Sequence, residues 1–439
     1  MFRGAALSIV TGSLVVLSAC TGLSSWDLSD YKKLNATYSQ LHANIGEFSW
    51  IVNLSVGLVL GAVLAGFTVN RVGRKRSLLF LALPLSCSYL TTIFATNVIP
   101  LCMSAFVAST VVGGSFTILV IYIGELCPED YRHVALSFLN VLITLGTFVY
   151  HVLIPHLSYS HLNIALLCLE IVTGVTFLIV GSESPYYHVT KRQFNSARVT
   201  LRYLRDDDDV DGELDDIKNI VHVKRIDNVW KEIKSKEVKS SNFVVSNLLL
   251  FQQFSGVYAV LFYTQTVLQN ATSPELSAII VSAIHLLSSL AIPAVVASYR
   301  RKLLLIVSAL AMSLSQASLG VYAYLNEHNL EVSRVAFLPL LSLIVYSLAF
   351  NVGFGPVPWI MLSEVFPYNV KHGFVALNVG CAWMNKFMSI NVYLKLSRSI
   401  GFSWYFFLFG TLNLVAGIFA KFVVKEGQVN QASQKHDDL

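Results

Sequence analysis

The chain has 439 residues, of which 54% are hydrophobic and only 13% are charged. Its mean hydropathy is +0.61, more apolar surface than a soluble core can bury, so the composition excludes an ordinary soluble domain and favours a membrane protein. The formal net charge of +5 is spread over alternate loops, a distribution that argues against a nucleic-acid partner.

Segments long and apolar enough to cross a bilayer recur along the whole chain. A helical span needs roughly 20 apolar residues, and about twelve segments meet that requirement. The sequence therefore predicts an all-α membrane protein. The predicted spans are 4–24, 49–70, 77–96, 99–122, 134–156, 162–181, 243–268, 275–298, 303–325, 335–360, 373–394 and 402–424.

One long polar segment separates the first six predicted spans from the last six. It contains the acidic run DDDDVDGELDD at 206–216, which we interpret as solvated chain, and a basic stretch typical of short amphipathic surface helices. The predicted organisation is an N-terminal six-helix half at 1–185, a cytoplasmic linker with short surface helices at 186–242, a C-terminal six-helix half at 243–425 and a cytoplasmic tail at 426–439.

The positively charged loops predict the orientation of the chain in the membrane. Basic residues cluster at 71–76, at 191–239 and at 300–302, and such loops stay on the cytosolic side. Both termini are therefore expected in the cytosol of a plasma-membrane protein. The sequons at Asn35 and Asn270 then fall on the outer side. We expect glycosylation at Asn35, since Asn270 lies close to the membrane.

Two cytoplasmic motifs occur once in each predicted half. GELCPEDYRH follows the fourth span and SEVFPYNVKH follows the tenth; both fit E-x-x-P-x-x-x-[R/K]-H, from Glu125 to His133 and from Glu364 to His372. RVGRK after the second span has a weaker counterpart in SYRRK after the eighth. This repetition indicates an internal duplication, the plan of transporters that hold their substrate near the bilayer midplane.

The motifs together resemble a known family. In chain order, GFTVNRVGRK, YIGELCPEDYRH, SESP, QQFSGVYAVLFYT, GFGPVPW and SEVFP resemble the signature set of the sugar porters, the branch of the major facilitator superfamily that contains the facilitative glucose transporters. The QQFSG and GFGPVPW segments are most similar to insect facilitated trehalose and hexose transporters. The resemblance implies a major facilitator fold, alternating access and an uncharged polyol as substrate.

Charged side chains at the predicted cytoplasmic helix ends are candidates for a gate. Cations and anions there can pair while that mouth is closed and separate when it opens, and the resemblance implies such a latch on the outward-facing state. The alternative is that the cations only fix orientation. The gate candidates are Arg71, Arg74, Glu125, Arg132, Glu183, Arg300, Glu364 and Lys371.

The GFGPVPW segment predicts a broken or bendable helix. Gly353, Gly355, Pro356 and Pro358 combine low stiffness with missing backbone donors, so we expect a hinge there. Trp359 follows directly, and its indole could stack on a sugar ring or serve as an interfacial anchor. The resemblance favours the sugar.

A polyol is recognised by amides, hydroxyls and indoles rather than by ions. Gln252 begins a helix stripe that continues through Gly256, Ala259 and Tyr263, a pattern suited to one wall of a sugar cavity. Helix–helix packing, with the amides bonded across the interface, is the alternative for the glutamines, and one glutamine could do each job. The substrate-binding candidates are Gln252, Gln253, Asn140, Asn351, Trp359, Trp383 and Tyr258.

Several positions depart from the family pattern and leave the exact sugar, and transport itself, open. Tyr258 and Ala382 stand where relatives carry Asn, Asn140 stands where Gln is common, and Asn351 stands where the glucose transporters have a carboxylate. Lys386, an ammonium within a predicted span, could contact substrate, pair with an acid or snorkel to the interface.

Energy coupling is predicted from the residues of the first span. Residues 4–24 contain no acid, whereas the proton-coupled sugar porters carry an aspartate there, so uniport is favoured. The alternatives are proton–sugar symport, for which Glu170 and His285 are the candidate proton carriers, and a transporter-like sensor that binds sugar without moving it.

No enzymatic chemistry is expected. The six cysteines show neither metal nor disulfide spacing, so we predict no metal site and no cofactor. The expected partners are a small-molecule sugar and membrane lipid, and the protein is expected to be a monomer.

Overall fold

The computed structural model describes residues 4–13, 47–95, 98–222, 229–269, 273–328, 330 and 335–424. Within these ranges the regular elements are helices and no strand occurs. The predicted all-α fold class is therefore confirmed for the described residues. The sequons at Asn35 and Asn270 and the predicted tail at 426–439 lie outside them.

The helices of the first part of the chain extend up to the end of the linker. They are α1 (Gly4–Ser13), α2 (Glu47–Val72), α3 (Arg74–Ile93), α4 (Val98–Leu126), α5 (Glu129–Leu153), α6 (Tyr159–Val180), α7 (Pro185–Thr190), α8 (Phe194–Arg205), α9 (Asp211–His222) and α10 (Val229–Ile233).

The helices of the second part begin before the seventh predicted span. They are α11 (Lys236–Gln253), α12 (Val257–Gln269), α13 (Pro274–Leu290), α14 (Ile292–Ser298), α15 (Arg301–Glu327), α16 (Leu338–Val352), α17 (Val357–Glu364) and α18 (Tyr368–Val423).

Nine helical stretches of the described residues are long and apolar enough to cross a membrane. The other three predicted spans differ for separate reasons. The span at 4–24 is described only as far as residue 13. The span at 243–268 is interrupted between α11 and α12. The span at 373–394 belongs to α18, which continues past a kink at Gly401 (φ +86°) into the last span.

The chain forms two compact units. The first contains Met1–Ala135, His156–Asn242 and Phe366–Trp383; the second contains Leu136–Pro155, Phe243–Val365 and Met384–Leu439. Each unit therefore includes chain from both predicted halves. The half boundaries at 185 and 243 describe the duplication and stay a prediction.

In the first unit α2 and α3 pack along α4, and α3 also packs along α6. Small residues bring α2 and α4 together. A Cβ at Gly61 would lie 1.9 Å from the carbonyl oxygen of Thr110, and a Cβ at Gly113 would lie 2.0 Å from that of Leu58. Close backbone approach through glycine is the usual way in which apolar helices associate in lipid.

The linker helices form a small apolar core of their own within the first unit. Arg205, at the end of α8, pairs with Glu213 on α9 at 2.5 Å and donates to the carbonyl oxygen of Leu126 at 2.9 Å. The linker is thereby tied to the end of α4. The core consists of Val189, Ala197, Leu201, Val210, Leu214, Ile217 and Val221.

In the second unit α15 and α13 pack against α16, and α12 packs against α13. Of the helix interruptions in this unit, two adjoin the candidate site residues, at 254–256 and at 353–356. The second occurs where the sequence places Gly353, Gly355 and Pro356. A Cβ at Gly353 would meet the carbonyl oxygen of Leu304 at 2.5 Å, so a side chain there would separate α15 from α16.

Candidate functional site

The two adjacent glutamines lie at the C-terminal end of α11 and are both buried. Nε2 of Gln252 donates to the carbonyl oxygens of Phe354 and Gly355, at 2.8 Å in each case. Nε2 of Gln253 lies 3.5 Å from Oε1 of Gln252. Because the interruption at 353–356 breaks the helical hydrogen bonding, these carbonyls need other donors. Gln252 supplies such a donor and so stabilises the interruption at 353–356.

The interruption after the glutamines is organised around the carbonyl oxygen of Ser255. It accepts from Nε2 of Gln316 at 2.7 Å, from the hydroxyl of Tyr346 at 3.0 Å and from Nδ2 of Asn413 at 3.0 Å. Gly256 follows with φ +84°, and a Cβ there would lie 2.2 Å from Nε2 of Gln316. The glycine is therefore required by both its backbone conformation and its neighbour.

Asn140 and Asn351 are brought together although 211 positions separate them. Nδ2 of Asn140 donates to Oδ1 of Asn351 at 2.8 Å, and Nδ2 of Asn351 lies 2.5 Å from Oγ of Ser288. The hydroxyls of Thr144 and Ser289 are 2.7 Å apart. These links join α5, α13 and α16 within the second unit through neutral groups, which can exchange hydrogen bonds with the hydroxyls of a polyol.

The aromatic candidates lie in different parts of the molecule. Trp359 is half-buried near the start of α17, in the second unit. Trp383 belongs to the first unit, where its ring packs edge-on against Phe116 at 5.9 Å. Tyr258 lies in α12, but its side chain is outside the described part of the structure.

The gate candidates Arg74 and Glu125 form a buried ion pair in the first unit. Nη2 of Arg74 lies 2.8 Å from Oε1 of Glu125, and the two side chains are 1% and 2% exposed. The same nitrogen lies 2.7 Å from Nε2 of His372 and 3.4 Å from the hydroxyl of Tyr368. Ser184 donates its hydroxyl to Oε2 of Glu125 at 2.5 Å. We name these five residues the Arg74 cluster.

Glu183 supports the Arg74 cluster by capping the helix that carries Arg74. Its Oε1 accepts from the backbone nitrogen of Arg74 at 2.7 Å and from that of Lys75 at 3.2 Å. A carboxylate at this end of α3 is stabilised by the free amides and the helix dipole. Gly73, with φ +106°, makes space for this carboxylate, because a Cβ at that position would lie 2.5 Å from Oε2 of Glu183.

Tyr368 joins the Arg74 cluster to the linker. Its ring stacks on Tyr186 at 5.6 Å, and its hydroxyl lies 3.0 Å from Oγ1 of Thr190. Burial raises the pKa of Tyr186 to about 12 and also raises the pKa of Tyr368. Both phenols therefore stay protonated at neutral pH and serve as neutral hydrogen-bonding groups.

Three further gate candidates of the first unit are Arg71, Arg132 and Lys371. The Arg71 side chain is exposed, while its backbone carbonyl accepts from Tyr187 at 3.3 Å. Arg132 approaches Glu129, three positions earlier, at 3.9 Å. Lys371 is buried at 8% exposure.

The second unit contains an ion pair that matches the one in the Arg74 cluster. Arg301 donates to Glu364, whereas the sequence motifs predict Arg300 as the gate residue. The alignment of RVGRK with SYRRK explains the difference. Arg74 and Arg301 are both the fourth residue of their motifs, and Glu125 and Glu364 both begin the E-x-x-P motif.

Sequence interpretation missed three residues that the structure places in these contacts. They are Tyr368, His372 and Arg301. The repeat alignment contains a signal for Arg301, and His372 ends the second E-x-x-P motif. Tyr368 has no comparable signal, because its importance depends on the linker packing beside α18.

Comparisons with known proteins agree with this architecture. A family model described as "Sugar (and other) transporter" matches residues 20–433. The facilitated trehalose transporter Tret1 of Apis mellifera ligustica is 29% identical over 385 residues, covering 86% of this chain and 76% of the relative. The Tret1 protein of Culex quinquefasciatus is 28% identical over 436 residues, covering 97% and 83%.

A solved structure shows the same fold. The proton:xylose symporter XylE bound to 6-bromo-6-deoxy-D-glucose aligns with a TM-score of 0.78 at 21% identity, covering 98% of each chain. The fold is that of the major facilitator superfamily, as the sequence motifs predict, and the relatives are transporters rather than enzymes. The chain belongs to the sugar (and other) transporter family and is a multi-pass membrane transporter.

Proposed function

We propose that this protein is a facilitative uniporter that moves a sugar such as trehalose or a hexose across the plasma membrane by alternating access. The insect relatives matched over most of the chain are named facilitated trehalose transporters. The proposed unit of transport is one chain, with both termini in the cytosol and a glycan on Asn35.

The observation that carries the proposal is the neutral hydrogen-bond network around Asn351. Asn140, Ser288 and Asn351 are linked by side-chain contacts of 2.8 and 2.5 Å. An uncharged polyol requires such donors and acceptors, since it offers no charge for an ion to bind. When a sugar binds, its hydroxyls would replace the Asn140–Asn351 hydrogen bond. When the sugar leaves, the two amides would bond to each other again, so neither loses its partner.

The two glutamines would have different roles, one in the hinge and one in sugar binding. Gln252 holds the carbonyls of the interruption at 353–356, so its amide nitrogen serves the hinge formed by Gly353, Gly355, Pro356 and Pro358. Gln253 has its amide nitrogen at a long 3.5 Å from Gln252. We therefore assign the sugar contact to Gln253, with Trp359, Trp383 and Tyr258 as further contacts.

The Arg74 cluster would act as the cytoplasmic latch. It joins Arg74 and Glu125, from the first sequence half, to Tyr368 and His372, from the second. Separating the halves at 1–185 and 243–425 on that side must break the contacts that Tyr368 and His372 make with Arg74 and Glu125. These contacts would therefore stabilise one state of the transport cycle and oppose the other, with the Arg74–Glu125 pair holding Arg74 in place. The gate would also include Arg71, Arg132, Glu183, Lys371, Arg300 and Glu364.

Uptake of radiolabelled trehalose and glucose into proteoliposomes tests the proposal. Equilibration without accumulation, unchanged by an imposed pH gradient, is the result expected for uniport. Asn351→Ala should lower uptake strongly. Asn247→Ala is the matched control, because Asn247 bonds only to Phe243 in its own helix among the described contacts. Equal uptake by the two variants would contradict the assigned site.

Proton–sugar symport is the second candidate, and one observation favours it. Nδ2 of Asn351 lies 3.3 Å from the backbone oxygen of His285, which places a titratable residue beside the network. Accumulation driven by the pH gradient, and abolished in His285→Gln, would establish symport. Sugar binding without uptake would instead identify a sensor.

A further inference from the structure

The geometry around Arg74 restricts the protonation state of His372. Nη2 of Arg74 lies 2.7 Å from Nε2 of His372 and 2.8 Å from Oε1 of Glu125. A guanidinium nitrogen can only donate, so Nε2 of His372 must present its lone pair. His372 is then neutral, with its proton on Nδ1, and it accepts one hydrogen bond of Arg74 while Glu125 accepts the other.

The carboxylate of Glu125 is also within reach of His372. Oε1 of Glu125 lies 3.3 Å from Nε2 of the imidazole, and His372 is 5% exposed. A proton on Nε2 would therefore face the carboxylate on one side and the Arg74 guanidinium on the other. The imidazolium would be attracted to Glu125 and repelled by Arg74. The present arrangement of Arg74, Glu125 and His372 therefore requires a neutral imidazole.

We propose that His372 is a positioning residue of the latch that responds to cytosolic pH: neutral, it accepts from Arg74 and links the two sequence halves, and protonated, it can no longer accept from Arg74, is repelled by the guanidinium and weakens the latch. This inference rests on the proposed function, because it assigns a regulation to the cytoplasmic latch of an alternating-access transporter.

The charged and titratable groups around His372 come from three helices. Arg74 faces it from α3, Glu125 faces it from α4, and Lys371 and Tyr368 belong to its own helix, α18. Arg74 and Lys371 are cations, and Glu125 is the carboxylate that lies within 3.3 Å of the imidazole. Protonation of His372 would add a third positive charge to this buried space.

The sign of the pH effect follows from linkage. His372 precedes the predicted span at 373–394, and its burial, together with the nearby cations, holds its pKa below the ordinary value of 6.5. Opening the latch would expose the imidazole to water and restore that value. The open state thus binds a proton more tightly than the closed state. Acidification below about pH 6.5 should therefore favour opening.

Alkylation of Cys127 provides a readout that does not depend on sugar. Cys127 lies two residues after Glu125 and is 5% exposed, so a maleimide should reach it only after the latch opens. The test uses the full-length protein in proteoliposomes, with Cys20, Cys87, Cys102, Cys168 and Cys381 replaced by Ser. Labelling rates are measured at pH 7.5 and at pH 5.5, and only monodisperse protein is compared.

His372→Gln removes the titration and keeps an acceptor oxygen for Arg74. Dividing the parent rate by the His372→Gln rate at each pH cancels the pH dependence of the thiol itself. We expect a ratio near one at pH 7.5 and a several-fold rise at pH 5.5, since one unit of pKa difference corresponds to about tenfold in the equilibrium. His372→Asn serves the same purpose if the Gln variant does not fold.

His133→Gln is the matched control, because His133 ends the first E-x-x-P motif as His372 ends the second. Its labelling rate should follow the parent at both pH values. Identical pH profiles for the parent and His372→Gln would overturn the inference, and so would a profile altered equally by His133→Gln. A pH-dependent latch in a protein that transports no sugar would refute the proposed function and leave this inference standing.

Discussion

The side-chain amide of Gln252 donates to the backbone carbonyl of Gly355 at 2.8 Å. This contact joins the helix interruptions at 254–256 and 353–356, because Gln252 is in the last turn of α11 and Gly355 lies between α16 and α17. A proline-containing gap leaves carbonyl groups without their helical donors. The glutamine therefore braces the helix interruption at which the GFGPVPW segment predicts a hinge, and its contribution should be measurable as stability.

Gln252→Ala should destabilise the protein, because two buried carbonyls lose their donor. The expected cost is ~1–3 kcal/mol, measured as a fall in the thermal unfolding midpoint in detergent. Gln253→Ala is the control, since Gln253 has only the 3.5 Å contact to its neighbour among its described hydrogen bonds. It should unfold near the wild-type temperature and raise the KM for sugar. The opposite pattern would show that Gln252 is the sugar contact.

Loss of either partner of the Arg74–Glu125 pair should be costly, because both side chains are almost fully buried. Arg74→Ala leaves a buried carboxylate without its cation, and breaking such a pair typically costs ~3–5 kcal/mol. Arg301→Ala is the comparison: Arg301 pairs with Glu364 but is 21% exposed, so its loss should cost less. A double-mutant cycle with Glu125→Ala measures the coupling, and a coupling near zero would refute the role of the pair.

The backbone at Gly256 supports a third stability prediction. With φ +84° and a Cβ position 2.2 Å from Nε2 of Gln316, Gly256→Ala combines conformational strain with a steric clash. We expect a loss of more than about 1 kcal/mol. Gly373→Ala is the control, because nothing lies within 4 Å of its Cβ position and it lies inside a helix. Thermal unfolding of both variants should show a large decrease only for Gly256→Ala.

The sequence predicts the class of fold well and the contacts only in part. The twelve apolar segments and the ordered motifs suffice for a major facilitator fold, because span length and loop charge are local properties. Arg301 shows what local sequence patterns miss: Arg300 and Arg301 are adjacent cations, and the contact of Arg301 with Glu364 depends on where α15 and α17 are placed. Gln252 is similar, since the same amide could face a ligand or a helix gap until the neighbouring helix is placed.

The Asn140–Asn351 bond leads to the last prediction. Asn140→Ala and Asn351→Ala each remove one side of the 2.8 Å contact, and each should lower sugar uptake while the protein still folds. If both amides bind the same sugar, the double variant should lose little more than the more impaired single variant, because contacting residues are not additive. Initial rates in proteoliposomes, normalised to the amount of folded protein, measure this. Fully additive losses would show that the two amides act independently, and an unchanged rate in both single variants would move the substrate site away from this network.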